Sequence, residues 1–293
     1  MNQFCQQRSI KNHKNLHFNL FMKKALIITI LLVAALFLSV ALVQAKPDNS
    51  NQGGNNDSEY TIPEQNGTYS VPDHPNLKVR VFVHNPKVKP EPPTKPSVSS
   101  LVCNFDPPSA AVVDLAGWHL PTGSWTYRLN NSSVPSSVGS DNLSTFAQLA
   151  FGTWSGASDS KVTFVEGSPT TVMRAKYDGQ NIVSWGRTSG SALAVTYTWY
   201  YPSTGLVAET DTIMNQKFPW SWTNQTVSLN CAGANSYDAQ DILTHELGHW
   251  MGLDDEYTST YVDNTMYGYG SKGEVKKDTL TAGDIAGISN IYH

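Results

Sequence analysis

An α+β domain is predicted from three observations. A helical segment surrounds His245-Glu246-Leu247-Gly248-His249, a second helix start lies near the C-terminus, and short β-prone runs crowd the stretch from Ser124 to Tyr201. Trp125 to Leu129, Lys161 to Glu166 and Thr171 to Lys176 are rich in β-branched and aromatic residues and read as strands. Ser140 or Asp141 can cap a helix that buries Leu143, Phe146, Leu149, Ala150 and Trp154. Ala192 to Tyr201 is a further strongly β-prone run, and Asp211 beyond it reads as a turn or strand-end residue.

The next helix begins near Asp238, where acidic residues suit the positive end of the helix dipole. Ile242, Leu243, Leu247, Trp250 and Met251 give it an apolar stripe for burial. The closing helix opens on Thr281 and Asp284 as a capping box, with Leu280 against Ile285 as staple. Ile285, Ile288 and Tyr292 would be its buried face. No internal repeat is detected.

Residues of the middle helix carry metal-binding chemistry. At about 100° per residue, His245 and His249 lie roughly 40° apart on one face and one turn apart in height, so both rings can reach one ion. Glu246 falls beside them, close enough to take a proton from water at that ion without being a ligand. Gly252 can take positive φ, end the helix and turn the chain beneath it, which offers Asp255 as third ligand. Asp254 is the alternative if the turn is shifted, and His119 and His293 are distant candidates.

His-Glu-x-x-His alone occurs on many ordinary helices, so the extension through Gly252 and Asp255 matters more than the pentapeptide. Met266 follows in Asn264-Thr265-Met266-Tyr267. With that block in place, residues from roughly 120 to 293 resemble the matrixin branch of the metzincins. Trp125 to Leu129 resembles the family's first strand, Phe146 to Trp154 its first helix, and Thr279 to Tyr292 its closing helix. The resemblance implies a twisted mixed sheet, an active-site helix, a Met-turn at Met266 and a C-terminal helix. It implies one catalytic Zn2+ on His245, His249 and Asp255, with Glu246 as the base of peptide hydrolysis. Protein or peptide substrates follow, and Ala192 to Tyr201 would be the edge strand along which they lie. Tyr267 and Tyr269 are candidates for assisting the oxyanion, though their spacing from Met266 is not that of the metzincins that use a tyrosine.

The chain departs from the common matrixin pattern at Asp255, where most members carry histidine; snapalysin-like secreted proteases carry aspartate there. No stretch resembles the cysteine switch or the loops that hold structural zinc and calcium, so Ca2+ is left open without residues to indicate it. A rival from another class is a non-catalytic exported binding or adhesion protein that keeps the fold around a structural zinc. Glu246 argues against it, since a structural site needs no base.

The N-terminal third reads differently. Met22-Lys23-Lys24, the apolar run Ala25 to Val43 and Val43-Gln44-Ala45 have the order of a secretory signal over residues 1–45, with Met22 as a candidate true start. The run is about 19 residues, so an uncut signal anchor, with the catalytic part outside, is the alternative, and the membrane is a partner only in that case. Residues 46–100 are Asn/Gly/Ser-rich and then proline-rich, predicting a linker or prosegment before a domain at 101–293. Within them Lys78 to His84 alternates like a single strand, either part of a prosegment across the site or a sticky piece of tether. Once the leader and Cys5 are removed, Cys103 and Cys231 remain as a candidate disulfide, as export would favour. A net charge of −4 without a basic cluster gives no nucleic-acid partner, and a monomer is expected.

Overall fold

The computed structural model describes residues 60–87, 101–104, 106–188, 190–226 and 229–292; the predicted leader lies outside them. The strands in chain order are β1 (Gly67–Val71), β2 (His74–Pro86), β3 (Leu101–Cys103), β4 (Gly123–Leu129), β5 (Val162–Glu166), β6 (Ile182–Gly186), β7 (Ala194–Tyr201) and β8 (Leu206–Asn215). Short strands β9 (Trp220–Ser221), β10 (Cys231–Gly233), β11 (Tyr237–Asp238) and β12 (Tyr269–Gly270) follow. The helices are α1 (Leu143–Ala157), α2 (Ala239–Met251) and α3 (Ala282–Ser289). None of the described helices is long and apolar enough to cross a membrane.

The main sheet runs β1-β2-β7-β8-β6-β4-β5, with β12 paired to β2. Strands β5, β4, β6 and β8 are mutually parallel; β7 is antiparallel to β8, and β2 is antiparallel to β7. This is the mixed sheet of an α+β fold. Period-two alternation sorts its buried side chains onto two faces. Phe82, Leu129, Val183, Ala194 and Met214 join the core under α1 and α2, while Val79, Val81, Ile182, Val195 and Ile213 form a second cluster on the opposite face.

Several sequence expectations are corrected. The stretch 46–100 is not merely linker: β1 and β2 lie within it, and β2 pairs with β7 from Lys78↔Tyr200 to His84↔Ala194. Val79, Val81 and Phe82 are fully buried, so the packed domain reaches upstream of residue 101 at least as far as Val79. Consequently β7 is an interior strand, not an edge. Thr171 to Lys176 forms no strand; the true neighbour of β4 and β8 is β6, and the loop before it is pinned through the Lys176 N–H donating to Asp211. Asp211 itself lies inside β8.

In α1, Leu149 is 40% exposed and Phe151 is buried in its stead, stacked on Tyr127. The helix follows a short 3-10 turn over Ser140–Asn142, and its N-cap position, Asn142, makes no side-chain capping bond. The capping box of Thr281 and Asp284 is present, whereas Ile285 is 42% exposed and does not contribute to the buried face with Ile288 and Tyr292. Cys103 and Cys231 are joined in a disulfide that ties β3 to β10 across 128 residues of chain.

Candidate metal centre

Helix α2 is fixed at both ends. The Asp238 carboxylate accepts the backbone N–H groups of Gln240 and Asp241 as N-cap, and Gly252 ends the helix with φ at +104°. A side chain at Gly252 would also strike the Trp118 carbonyl, so this turn requires glycine twice over. The chain then passes beneath the helix, where the Asp254 N–H donates to the Asp114 carbonyl and the Asp255 N–H to the Asp254 carboxylate.

This turn brings Asp255 Oδ1 to 3.2 Å from His245 Nε2 and 3.6 Å from His249 Nε2. All three atoms are buried and none makes a hydrogen bond. Buried polar atoms without partners are costly, so three of them converging on one point fit a cation that would satisfy them together. Each of these candidate ligands is oriented by its far side. His245 Nδ1 donates to the Thr265 carbonyl at 2.7 Å and His249 Nδ1 to the Leu253 carbonyl at 2.9 Å, which leaves the Nε2 lone pairs facing inward. The Tyr257 hydroxyl donates to Asp255 Oδ2 at 3.0 Å. Two imidazoles and a carboxylate oxygen are the donor set of a zinc site with an open position.

Glu246 is buried beside these atoms. Its Oε2 accepts the Thr196 hydroxyl at 2.5 Å; Thr196 lies 2.7 Å from Thr212, which accepts the Trp250 indole N–H at 3.0 Å. Its Oε1 lies 3.1 Å from Nδ1 of His84. Burial pushes the Glu246 carboxyl up to about 7, with His249 and the Thr196 bond partly opposing. Burial, then the Lys277 ammonium, pulls His245 down to about 3. Burial would raise Asp255, but the His249 and His245 imidazoles outweigh it and hold the carboxyl well below its ordinary range.

Met266 lies fully buried beneath the site. Its turn is held from the closing helix, because the Asp284 carboxylate accepts the N–H groups of Thr265 and Met266 as well as that of Thr281. One acidic side chain therefore serves both the α3 cap and the floor of the centre.

Asp254 is the residue not brought to the ligand cluster: its Oδ1 holds the Asp255 N–H and faces Arg80 at 3.6 Å. His119 pairs with Leu206 in an isolated bridge, away from the cluster, and His293 is outside the described residues. Among the described residues the other possible metal group is His84, His245 and Glu246, which shares His245 with the first. The carboxylates of Glu209 and Asp211 are occupied by backbone N–H groups of Asp178, Gly179, Lys176 and Ile182. Tyr257 and Lys277 are neighbours that the sequence did not single out, whereas Thr196, Phe82 and His84 lie in segments it placed at the site, Ala192 to Tyr201 and Lys78 to His84, without a role for the individual side chain. Only Tyr257 lay within the motif's reach, two positions past Asp255.

A mixed sheet, a helix carrying two inward imidazoles, a glycine turn delivering a carboxylate and a methionine floor define a metzincin-type domain. The matrixin family profile matches residues 118–293, and the chain belongs to that family, whose members are zinc-dependent metallopeptidases. No curated protein matches the chain.

Proposed function

We propose that this chain is an exported zinc endopeptidase in which His245, His249 and Asp255 hold one zinc ion and Glu246 is the general base. The observation that carries this reading is the convergence of three buried, unpartnered ligand atoms beside a buried carboxylate. Export is inferred from the leader pattern of residues 22–45.

A zinc ion here would act as a Lewis acid, polarising the scissile carbonyl and making water more acidic. This chain's own residues do the rest. His245 and His249 are locked as Nε2 donors by their bonds to Thr265 and Leu253. Thr196, backed by Thr212 and Trp250, holds Glu246 Oε2, so Oε1 is the oxygen that takes the proton of the attacking water. Glu246 then returns that proton to the leaving amine. Burial, which favours the protonated form of Glu246, supports its taking up and returning a proton.

Casein digestion by the zinc-loaded protein, with and without a chelator, tests the reading together with Glu246→Gln. The variant should hold one zinc per chain and lose activity by about two to four orders of magnitude. Parental turnover by the glutamine variant would eliminate the mechanism.

A further inference from the structure

The main sheet ends on β5, which has β4 along one side and no strand among the described residues along the other. The Gly123 N–H donates to the Lys161 carbonyl and the Gly167 N–H to the Tyr127 carbonyl, so the odd-numbered peptide groups of β5 turn towards β4. The even-numbered ones turn outward. The first of these N–H groups, that of Val162, is taken by the Ser158 hydroxyl at 3.3 Å, whereas Phe164 and Glu166 present theirs to an open edge. Such an edge is a template for one more strand.

Beside that edge, between β5 and α1, lies a groove of about 370 Å³. Its floor is aromatic: Phe151 stacks on Tyr127 at 3.9 Å between centroids and meets Phe164 at 4.6 Å. Its polar side is built by Tyr127 and Glu166, which face each other in the β4–β5 register. Glu166 Oε2 accepts the Ser144 hydroxyl at 2.6 Å and the Gln148 amide at 3.3 Å, while Oε1 has no donor from the described residues. The ion pairs of the described Lys and Arg residues lie elsewhere, at Arg80 and Lys276. Tyr127 is 2% exposed, yet its hydroxyl has no hydrogen-bond partner among the described residues. Burial, then the charge of Glu166, raises the Tyr127 pKa, so the hydroxyl keeps its proton and stands in the field of the carboxylate. On the helix side Gly152 leaves the groove open, since a Cβ there would meet nothing within 4 Å.

A carboxylate oxygen without a donor, a buried hydroxyl and flat aromatic faces are satisfied together by a guanidinium on an apolar stem. Phe164 and Glu166 belong to both the edge and the groove, so a chain paired along the edge lays alternate side chains into it. We propose that β5 and this groove form a second peptide-binding site, which takes an extended segment of a partner protein as an added strand and seats one arginine over Phe151 and Phe164 with its guanidinium on Glu166. Strands β4, β6 and β8 separate β5 from β7, whose Thr196 holds Glu246, so this site is distinct from the metal centre and does not rest on the peptidase reading.

The test is direct binding to the full chain carrying Glu246→Gln, in which turnover does not consume the probe. The probe is a fluorescein-labelled heptapeptide, Thr-Val-Thr-Arg-Thr-Val-Thr. It should bind once per chain, and citrulline in place of its arginine, equal in shape but uncharged, should weaken binding by about tenfold or more. Methylation of its backbone nitrogens on alternate residues should do the same by removing the strand bonds. Glu166→Gln removes the charge and Gly152→Leu fills the groove from open space; each should cost about tenfold or more, and Tyr127→Phe about threefold. Equal binding of the arginine and citrulline peptides overturns the proposal, as does parental affinity in both Glu166→Gln and Gly152→Leu, or no binding up to about 1 mM peptide. A parent that dimerises in sedimentation, with the dimer abolished by Gly152→Leu, would assign the edge to a second copy of this chain and overturn it as well.

Discussion

Gly248 and Met266 touch in a way that leaves no room for a side chain on the helix. A methyl group at Gly248 would run into the Met266 thioether and the Trp154 ring, both fully buried. Gly248 occupies one of the two unspecified positions between His245 and His249, so the floor residue packs directly against the metal-binding turn of α2. Gly248→Ala should therefore cost about 1–3 kcal/mol by overpacking and weaken zinc binding as Met266 is displaced. Chemical denaturation and a zinc titration check it; an alanine variant matching the parent in both would show that Met266 can move freely.

How much of this was legible in the sequence depends on whether the cause is local. The α2 cap at Asp238, the turn at Gly252 and the inward faces of His245 and His249 follow from backbone geometry over a few residues, and they stand where the sequence places them. Strand β2 is legible as a strand from its alternation, but whether it lies across the site or in a tether is not, because that depends on distant partners in β7. In the fold both faces are covered: Val79 and Val81 enter one cluster, Phe82 the other. Charge misled in β8 as well. Asp211 reads as a turn or strand-end residue, yet a distant loop supplies the N–H donors that let it and Glu209 be buried inside the strand.

Asp255 and Asp254 should separate cleanly in mutants. Asp255→Ala removes the oxygen that faces both imidazoles and should abolish stoichiometric zinc binding and casein cleavage together. Asp254→Ala loses a turn bond and a partly exposed pair with Arg80, worth about 1 kcal/mol, and should keep its zinc. Tyr257→Phe removes the donor on Asp255 Oδ2 and should lower zinc affinity by about 10–100-fold. Metal analysis after dialysis decides; zinc retained by Asp255→Ala and lost by Asp254→Ala would put the wrong carboxylate in the site.

The Cys103–Cys231 bridge closes a long loop and pairs β3 with β10, two strands of three residues each. In the chain-entropy picture its removal costs about 3–5 kcal/mol, and a domain of this size loses about 2–4 °C of Tm per kcal/mol. A Cys103→Ser, Cys231→Ser double variant should melt correspondingly lower while still binding zinc, since neither cysteine belongs to the ligand cluster. A melting point within a degree of the parent would mean that the bridge adds little to a fold already held elsewhere.

Glu209 offers a pH test away from the metal. Burial pushes its carboxyl up to about 7 even though it accepts backbone N–H groups from Asp178 and Gly179. Its ordinary value is 4.5, so between that pH and about 7 the folded protein keeps a proton that the unfolded chain has released. Stability from this group is complete below the lower value and is lost as pH rises through the window. Asp211 beside it is shifted the same way by burial and contributes in the same direction. Glu209→Gln cannot titrate, and its amide places donors toward N–H groups that need acceptors, so it should be less stable than the parent at every pH. The drop in Tm between pH 5 and pH 8, at constant zinc, should nevertheless be smaller in the variant than in the parent. Zinc-ligand titration is common to both proteins and cancels in that comparison. A variant whose Tm falls as steeply as the parent's would show that Glu209 is already ionised at pH 5, with the loop N–H donors outweighing its burial.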